Sequence, residues 1–421
     1  MSDNASQNAN QDDDVIKEIR QAVVALCSRF PGEYWRQKDR DREYPTEFVQ
    51  ALTDAGYLAV LVPEEYGGSG LGVRAASAVL EEIHKSGCNG GACHAQMYIM
   101  GTLLRHGNEA QKQKYLPGIA SGDLRLQAFG VTEPTSGTDT LSLRTTAVKQ
   151  GNDRYIINGQ KVWTSGGRSA DYALLITRTD LDQPKHTGIT FFFLPMKQAG
   201  VEVRPLRQAT GDARFNEVFI TDARVPHENM LGEYNRGWWV LQTALAYERA
   251  AMGQSGRRRQ TQKASESVRS SDSEAGAPVP DLSLIDLARE SGVSSDPQIR
   301  QRLMALRALV MVNDWNGQRA KAAMKAGSSS PLMSLGKLAM SGILHTAGSL
   351  QGSILGAGAM LGGESSPKAA DATYSMLNAF FTSIGGGTDQ IQRNIIGERI
   401  LGLPKEPEVD KDVAFRDVRK A

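Results

Sequence analysis

The spacing of apolar residues changes twice along this 421-residue chain, and these changes constrain its fold more than any other feature. Over about residues 15–122, apolar residues recur at three- and four-residue steps, which is typical of amphipathic helices. Short runs rich in β-branched and aromatic residues, such as Ile189–Leu194, then alternate with turn residues up to about residue 235, which is typical of antiparallel strands. Helical spacing returns after Gly237. The pattern therefore predicts an α+β chain.

Three folded parts and two tails follow from this pattern. We expect an N-terminal α-helical domain over residues 14–123, a middle antiparallel β-barrel or sandwich domain over 124–235, and a C-terminal four-helix bundle over 236–404. Residues 1–13 are polar and predict a disordered tail, and residues 405–421 predict an exposed one. Within the bundle, residues 256–281 are polar, Ser-rich and proline-terminated, which predicts a mobile surface loop. The arginine triplet that begins at Arg257 could instead meet a phosphate-rich ligand.

Composition excludes several classes of partner. The 48 basic residues nearly cancel the 47 acidic ones, so no global field favours nucleic acid or a membrane surface. The three cysteines, Cys27, Cys88 and Cys93, have no zinc-binding spacing, which predicts free thiols in a reducing compartment. No His, Asp or Glu spacing indicates a metal site. No secretory signal or membrane-spanning run is evident. We therefore expect a cytoplasmic protein.

Three motifs carry residues suited to chemistry. They read Phe129-Gly-Val-Thr-Glu-Pro-Thr-Ser-Gly-Thr-Asp139, Asn158-Gly-Gln-Lys-Val-Trp-Thr-Ser165 and Ile384-Gly-Gly-Gly-Thr-Asp-Gln-Ile-Gln-Arg393. The first two combine compact hydroxyls with one indole, and an oxidised flavin needs hydrogen-bond donors at its edge and an apolar wall on one face. The alternative is that both are ordinary turns and that Trp163 is a core residue. The presence of both motifs in one β unit, with the third downstream, favours a ring pocket.

From about Tyr44 to Pro404, the chain resembles the acyl-CoA dehydrogenase family of flavoenzymes. Further motifs support this, including Val62-Pro-Glu-Glu-Tyr-Gly-Gly68 and Val225-Pro-His-Glu-Asn-Met-Leu-Gly232. The resemblance implies bound FAD and a set of flavin contacts. These are Phe129, Val131 and Thr132 along the ring, Thr138 at the pyrophosphate, Trp163 against the ring, Ser165 at N5, and Thr388 and Gln390 toward the phosphates and adenine.

The family reaction is the α,β-oxidation of an acyl-CoA thioester, in which a carboxylate removes the α-proton and the β-hydride goes to flavin N5. Many relatives place this glutamate where this chain has Gly386, and glycine cannot accept a proton. Glu248 is the substitute, since it shares the apolar stripe of the helix that follows Gly237, and burying a charge is costly unless it is used or paired.

In isovaleryl-CoA and long-chain relatives the base comes from the position that matches Glu248, so the resemblance makes Glu248 catalytic. It also puts Arg249 and Gly386 at the substrate, where the three glycines leave room for a branched or bulky acyl group. The alternative is that Glu248 forms an exposed ion pair with Arg249 at the helix edge.

The resemblance further implies an electron-transfer flavoprotein as acceptor and an oligomer. The oligomer is a homodimer or homotetramer, or a heterotetramer with a paralogue in which this chain carries the base. The chain departs from the family at Arg289–Pro297, where many relatives have an Arg-x-x-Phe-Gly segment that reaches the neighbouring subunit's flavin. Two alternatives stay open. One is a flavin oxidase or monooxygenase of the same fold, and the other is a non-catalytic subunit of a hetero-oligomeric dehydrogenase.

Overall fold

The computed structural model describes residues 2–41, 43–251, 280–325, 331–362 and 366–418. The predicted loop over 256–281, with its arginine triplet, lies outside these residues except for its last two positions, which begin a helix. The chain folds as two compact units. The first comprises Met1–Arg207, Ala213–Gly276 and Val409–Ala421, and the second comprises Gln208–Asp212 and Ala277–Glu408.

The first unit begins with six helices. They are α1 (Ser2–Cys27), α2 (Gly32–Asp41), α3 (Thr46–Asp54), α4 (Gly72–Lys85), α5 (Gly91–His106) and α6 (Glu109–Ser121). Helix α6 shows why the local sequence folds this way: the Asn108 and Gln111 side chains each accept the other's backbone N–H, and left-handed Gly122 ends the helix. Helix α1 starts at Ser2, which differs from the disordered tail predicted for residues 1–13.

The same unit contains a sheet of eight strands. They are β1 (Leu126–Gly130), β2 (Thr146–Gln150), β3 (Arg154–Ser165), β4 (Tyr172–Arg178), β5 (Ile189–Pro195), β6 (Val201–Leu206), β7 (Phe215–Pro226) and β8 (Met230–Leu231). Their order is β6-β7-β3-β2-β4-β5-β8, with β1 beside β4. Most neighbours are antiparallel, as predicted, but β1 and β2 each run parallel to β4. Strand β5 is buried from Ile189 to Leu194 because side chains on both of its faces are covered.

Helix α7 (Gly237–Ala251) also belongs to the first unit. Its Val240, Leu241 and Ala244 are buried. Gly101 of α5 makes the close approach possible, because a Cβ there would lie 2.5 Å from the Tyr247 ring. Sequence spacing groups α7 with the C-terminal helices, whereas in the structure it packs against α5.

The C-terminal residues contact the β sheet of this unit. Ala414 forms a β-bridge with Pro184, and the Arg178 guanidinium lies 3.9 Å from the centre of the Phe415 ring. Lys185 pairs with Asp410 at 2.5 Å. Residues 410–418 therefore contact the sheet, whereas residues 405–409 of the predicted tail are exposed.

The second unit is helical. Its helices are α8 (Pro280–Glu290), α9 (Pro297–Lys325), α10 (Leu332–Leu355), α11 (Pro367–Ile384) and α12 (Asp389–Arg399). Leu306 and Leu350 are fully buried between them. The predicted fold class, with helices, then a sheet, then helices, is confirmed. Among the described residues, none of the helices has the length and apolarity needed to cross a lipid bilayer.

Candidate active site

Trp163 lies in a β-bulge near the end of β3. Lys161 pairs with Val218 of β7, but Thr164 pairs with Asn216, so one extra residue of β3 lies between these pairs. Trp163 has a φ of 61°, a left-handed conformation that costs a bulky residue about 1–3 kcal/mol. Its side chain is 49% exposed. The alternative in which Trp163 is a core residue is therefore wrong, and its strained, exposed ring is typical of a functional surface.

The predicted ring-facing segments are joined to each other. Strand β1 ends at Gly130, and the next two residues bond to β3: the Val162 N–H donates to the Thr132 carbonyl at 2.9 Å, and Lys161 Nζ donates to the Val131 carbonyl at 3.2 Å. Thr132 and Trp163 therefore stand on adjoining stretches of backbone. Two motifs that are separate in the sequence, at residues 129–139 and 158–165, therefore meet here.

The other predicted residues of this group have different environments. Phe129 is partly buried, with its ring 5.6 Å from that of Tyr98 on α5 and 6.3 Å from that of Phe191. Ser165 is the last residue of β3 and pairs with Phe215. Thr138 is exposed in the loop between β1 and β2. Of these three, Ser165 lies nearest in sequence to the bulge, and Phe129 packs β1 against α5 and β5.

A buried ion pair supports the joined segments. Lys161 Nζ lies 2.8 Å from Glu133 Oε1, with side chains 0% and 4% exposed. The Glu133 carboxylate also accepts the backbone N–H groups of Arg144 and Thr145, at 2.6 and 2.9 Å. Sequence reasoning assigned neither Glu133 nor Lys161 a role. The signal was available, since both are charged residues inside the two motifs.

Burial and charge act on these groups in opposite directions. Burial raises the pKa of Glu133, but the Lys161 charge and the hydrogen bonds from Lys161, Thr145 and Arg144 outweigh it, and the net shift is downward. Burial lowers the pKa of Lys161 to about 8, against the attraction of Glu133. Burial likewise lowers the pKa of the nearby Arg178 to about 10.

Three buried hydroxyls beside these segments have no hydrogen-bond partner among the described residues. They are Ser136 Oγ, three residues after Glu133, Thr145 Oγ1, whose N–H bonds to Glu133, and Thr164 Oγ1, next to Trp163. A buried hydroxyl without a partner costs free energy that a bound polar molecule or a water recovers. Hydroxyls and a half-exposed aromatic surface on adjoining segments are the residue types that a flavin ring requires. The residues present therefore fit this cofactor.

Helix α7 carries the predicted base. His106 Nε2 of α5 lies 2.8 Å from Thr243 Oγ1, and together with the Tyr247 contact this bond fixes α7 against α5. Glu248 follows Ala244 by four positions and buried Leu241 by seven, so its backbone position is on the packed face of the helix. The side chains of Glu248 and Arg249 lie outside the described residues. Their roles therefore stay predictions.

The glycine motif lies in the second unit, between α11 and α12. Gly386 and Gly387 have φ angles of 65° and 93°, which glycine adopts readily. A Cβ at Gly386 would contact nothing within 4 Å, whereas one at Gly387 would lie 2.9 Å from Gln392 Nε2. Thr388 caps α12 by accepting the Ile391 N–H at 3.3 Å. Gln390 is exposed on the first turn of α12.

Comparison with known proteins identifies the class of protein to which this fold and site belong. Residues 13–123, 128–223 and 285–401 match the N-terminal, middle and C-terminal domains of acyl-CoA dehydrogenases. The acyl-CoA dehydrogenase IpdE1 of Mycobacterium tuberculosis is 32% identical over 410 residues, which are 93% of this chain and 98% of the relative. The mitochondrial isovaleryl-CoA dehydrogenase of Pongo abelii is 35% identical over 245 residues, which are 56% of this chain and 57% of the relative.

Solved structures of acyl-CoA dehydrogenases have a similar fold. The Tcur3481-Tcur3483 steroid ACAD is 27% identical with a TM-score of 0.76, and the match covers 93% of this chain and 98% of that one. The ChsE4-ChsE5 complex of Mycobacterium tuberculosis is also 27% identical, with a TM-score of 0.73 and coverage of 94% and 98%. The chain belongs to the acyl-CoA dehydrogenase family. It is a flavin-dependent oxidoreductase that acts on an acyl-CoA.

Proposed function

We propose that this chain is an FAD-dependent acyl-CoA dehydrogenase that introduces a double bond between the α and β carbons of a bulky acyl thioester. Family membership supports the reaction class. The main observation that supports a flavin site here is the strained, half-exposed Trp163. It lies on a bulge that is hydrogen-bonded to the Val131–Thr132 segment. A conformation of this kind persists only where the surrounding structure enforces it, and such strain clusters at ligand sites.

The residues of the first unit would hold the ring. Trp163 offers an apolar face, Thr132 and Ser165 offer hydroxyl donors, and Phe129 and Val131 line the segment that leads to them. When bound, the flavin supplies the acceptor for the β-hydride. Thr138 would reach the pyrophosphate. In the second unit, Thr388 and Gln390 would contact the phosphates and the adenine end.

Glu248 would remove the α-proton. A carboxylate is the suitable group, because general-base catalysis by a positioned side chain contributes about 10²–10⁴-fold to the rate. The α-proton is weakly acidic, so hydrogen bonds to the thioester carbonyl must stabilise the charge that develops as it leaves. Two observations support Glu248: its position on the packed face of α7, and the replacement by Gly386 of the glutamate that many relatives use.

The substrate would be a branched or ring-bearing acyl-CoA. Gly385, Gly386 and Gly387 present no side chains, and the space beside Gly386 is open within its unit. One solved relative is described as a steroid ACAD, which supports a bulky substrate of that type. Arg249 would contact the same substrate. The electron acceptor would be an electron-transfer flavoprotein.

The first prediction concerns the base. Glu248→Gln keeps the size and polarity of the side chain but removes the proton acceptor. We expect anaerobic bleaching of the flavin by a productive acyl-CoA to slow by about 10²-fold or more, with the flavin spectrum unchanged. Stopped-flow absorbance, on a panel of straight, branched and ring-bearing acyl-CoAs, measures this rate and identifies the best substrate.

Glu233→Gln is the matched control, because it neutralises an exposed carboxylate that pairs loosely with Arg236. We expect its bleaching rate to equal that of the unchanged protein. Bleaching of Glu248→Gln at the unchanged rate would refute the assignment of the base. Rapid peroxide formation after bleaching in air would favour an oxidase instead, and slow reoxidation supports the dehydrogenase.

A further inference from the structure

The buried cation beside the bulge has no role in proton or hydride transfer, yet it touches both segments assigned to the flavin. Lys161 lies on β3 two residues before Trp163, and its stem passes Gly130, where a Cβ would lie 3.5 Å from Lys161 Cγ. Its ammonium group donates to the Val131 carbonyl at 3.2 Å and to Glu133 at 2.8 Å. One side chain thus links β3 to two residues, Val131 and Glu133, of the segment that follows β1.

Stability alone does not explain a charge in this position. The Lys161 side chain is completely buried, and removing an ammonium group from water costs more than a single ion pair usually returns. An apolar pair of the same volume would commonly be as stable or more stable. What the pair adds is a fixed backbone geometry. The carboxylate accepts two backbone N–H groups, and the ammonium donates to one backbone carbonyl, so the pair holds these backbone positions together.

We propose that Lys161 is a positioning residue for the flavin, which holds the Val131–Thr132 segment at a fixed distance from Trp163 through its bond to the Val131 carbonyl. Glu133 neutralises the ammonium. It also bonds the segment to the residues just before β2, by accepting the N–H groups of Arg144 and Thr145. This inference rests on the proposed placement of the flavin at Trp163. Lys161 itself does not touch the reacting atoms.

The test separates flavin affinity from stability. Apoprotein is titrated with FAD, and the dissociation constant is measured by quenching of flavin fluorescence; thermal unfolding is followed in parallel. Lys161→Met removes both donated bonds and leaves Glu133 as an unpaired buried carboxylate, so we expect a lower melting temperature and flavin affinity weaker by about tenfold. Adding Glu133→Gln removes the unpaired charge. The double variant should regain most of the melting temperature but not the affinity, because the Val131 carbonyl still lacks its donor.

Two controls make each outcome decisive. Arg20→Met breaks the Arg20 pairs with Glu81 and Glu82 between α1 and α4, and it should lower the melting temperature without changing flavin affinity. Trp163→Gly reports on the flavin placement itself. If Trp163→Gly weakens binding and the double variant binds FAD as tightly as the unchanged protein, the role of Lys161 is wrong and the placement stands. If Trp163→Gly also leaves binding unchanged, the placement is wrong.

Discussion

At the scale of single residues, this protein keeps an unfavourable conformation where its cofactor is proposed to bind. Trp163 is a large aromatic residue with a left-handed backbone, and half of its side chain is in solvent. Its only ring contact among the described residues is an edge-on one with Phe215, at 5.7 Å. Glycine or asparagine would suit this backbone better. The presence of an indole at this position is therefore explained by the ligand contacts that its exposed face can make.

Trp163→Gly should separate stability from binding. Relief of the backbone strain offsets the lost contact with Phe215 and the entropy cost of glycine, so we expect the free energy of unfolding in urea to stay within about 1 kcal/mol. FAD affinity should fall by about tenfold or more, because the apolar wall is gone. Trp239→Ala is the control, since Trp239 is 43% exposed on α7. Equal losses of affinity in both variants would contradict a specific role for Trp163.

At the scale of elements, the contact between α5 and α7 sets the position of the proposed base. Gly101 lets the Tyr247 ring approach α5, and Tyr247 directly precedes Glu248. The hydrogen bond between His106 and Thr243 fixes the same pair of helices one turn earlier. A small change in this interface moves the α7 backbone. Such movement matters, because a shift of about 1 Å in a catalytic group can cost 10²-fold in rate.

Gly101→Ala tests this coupling. A Cβ 2.5 Å from the Tyr247 ring must push the ring or the helix aside, and overpacking of this kind typically costs about 1–3 kcal/mol. We expect kcat to fall by about tenfold while the flavin spectrum is kept. Gly317→Ala on α9 is the matched helical control, because its Cβ would meet nothing within 4 Å, and it should gain about 0.5–1 kcal/mol. Unchanged kcat in Gly101→Ala would show that α7 tolerates the added methyl group.

At the scale of the whole molecule, the residues assigned to the flavin are divided between two compact units. The ring-facing group belongs to the first unit, and the glycine motif with Thr388 belongs to the second. The sequence motifs also predict a departure from the family pattern at Arg289–Pro297, where α8 ends and α9 begins. Because many relatives use that segment to reach a neighbouring subunit's flavin, we propose that a paralogous chain supplies the contact in a heterotetramer.

The oligomer prediction concerns flavin content. The chain purified alone should hold less than one FAD per chain, and the fraction should rise when it is co-purified with a paralogue encoded in the same organism. Native mass spectrometry measures both the stoichiometry of the chains and the flavin bound. A homotetramer with one FAD per chain would contradict the proposal and favour the self-contained alternative.

The motifs predicted a ring pocket, and the structure joins two of them, because Val131 and Thr132 bond to β3 beside Trp163. The roles of the individual site residues stay predictions. The spacing of hydroxyls around Trp163 indicated a ring pocket, and the substitution at Gly386 directed attention to Glu248. Both Glu133 and Lys161 are visible as charged residues inside the motifs, but their pairing depends on contact between β3 and the loop that follows β1. Neither residue's burial is evident from its own stretch of sequence.

The sequence by itself determined the order of helices and strands, because a helix repeats every 3.6 residues and a strand every two, and both periods are local. It also determined the family, since the motifs are local as well. Only the tertiary structure decided the left-handed bulge at Trp163, the parallel pairing of β1 with β4 and the packing of α7 on α5. Each of these depends on contacts between residues far apart in the chain, where the geometry of one element is set by another.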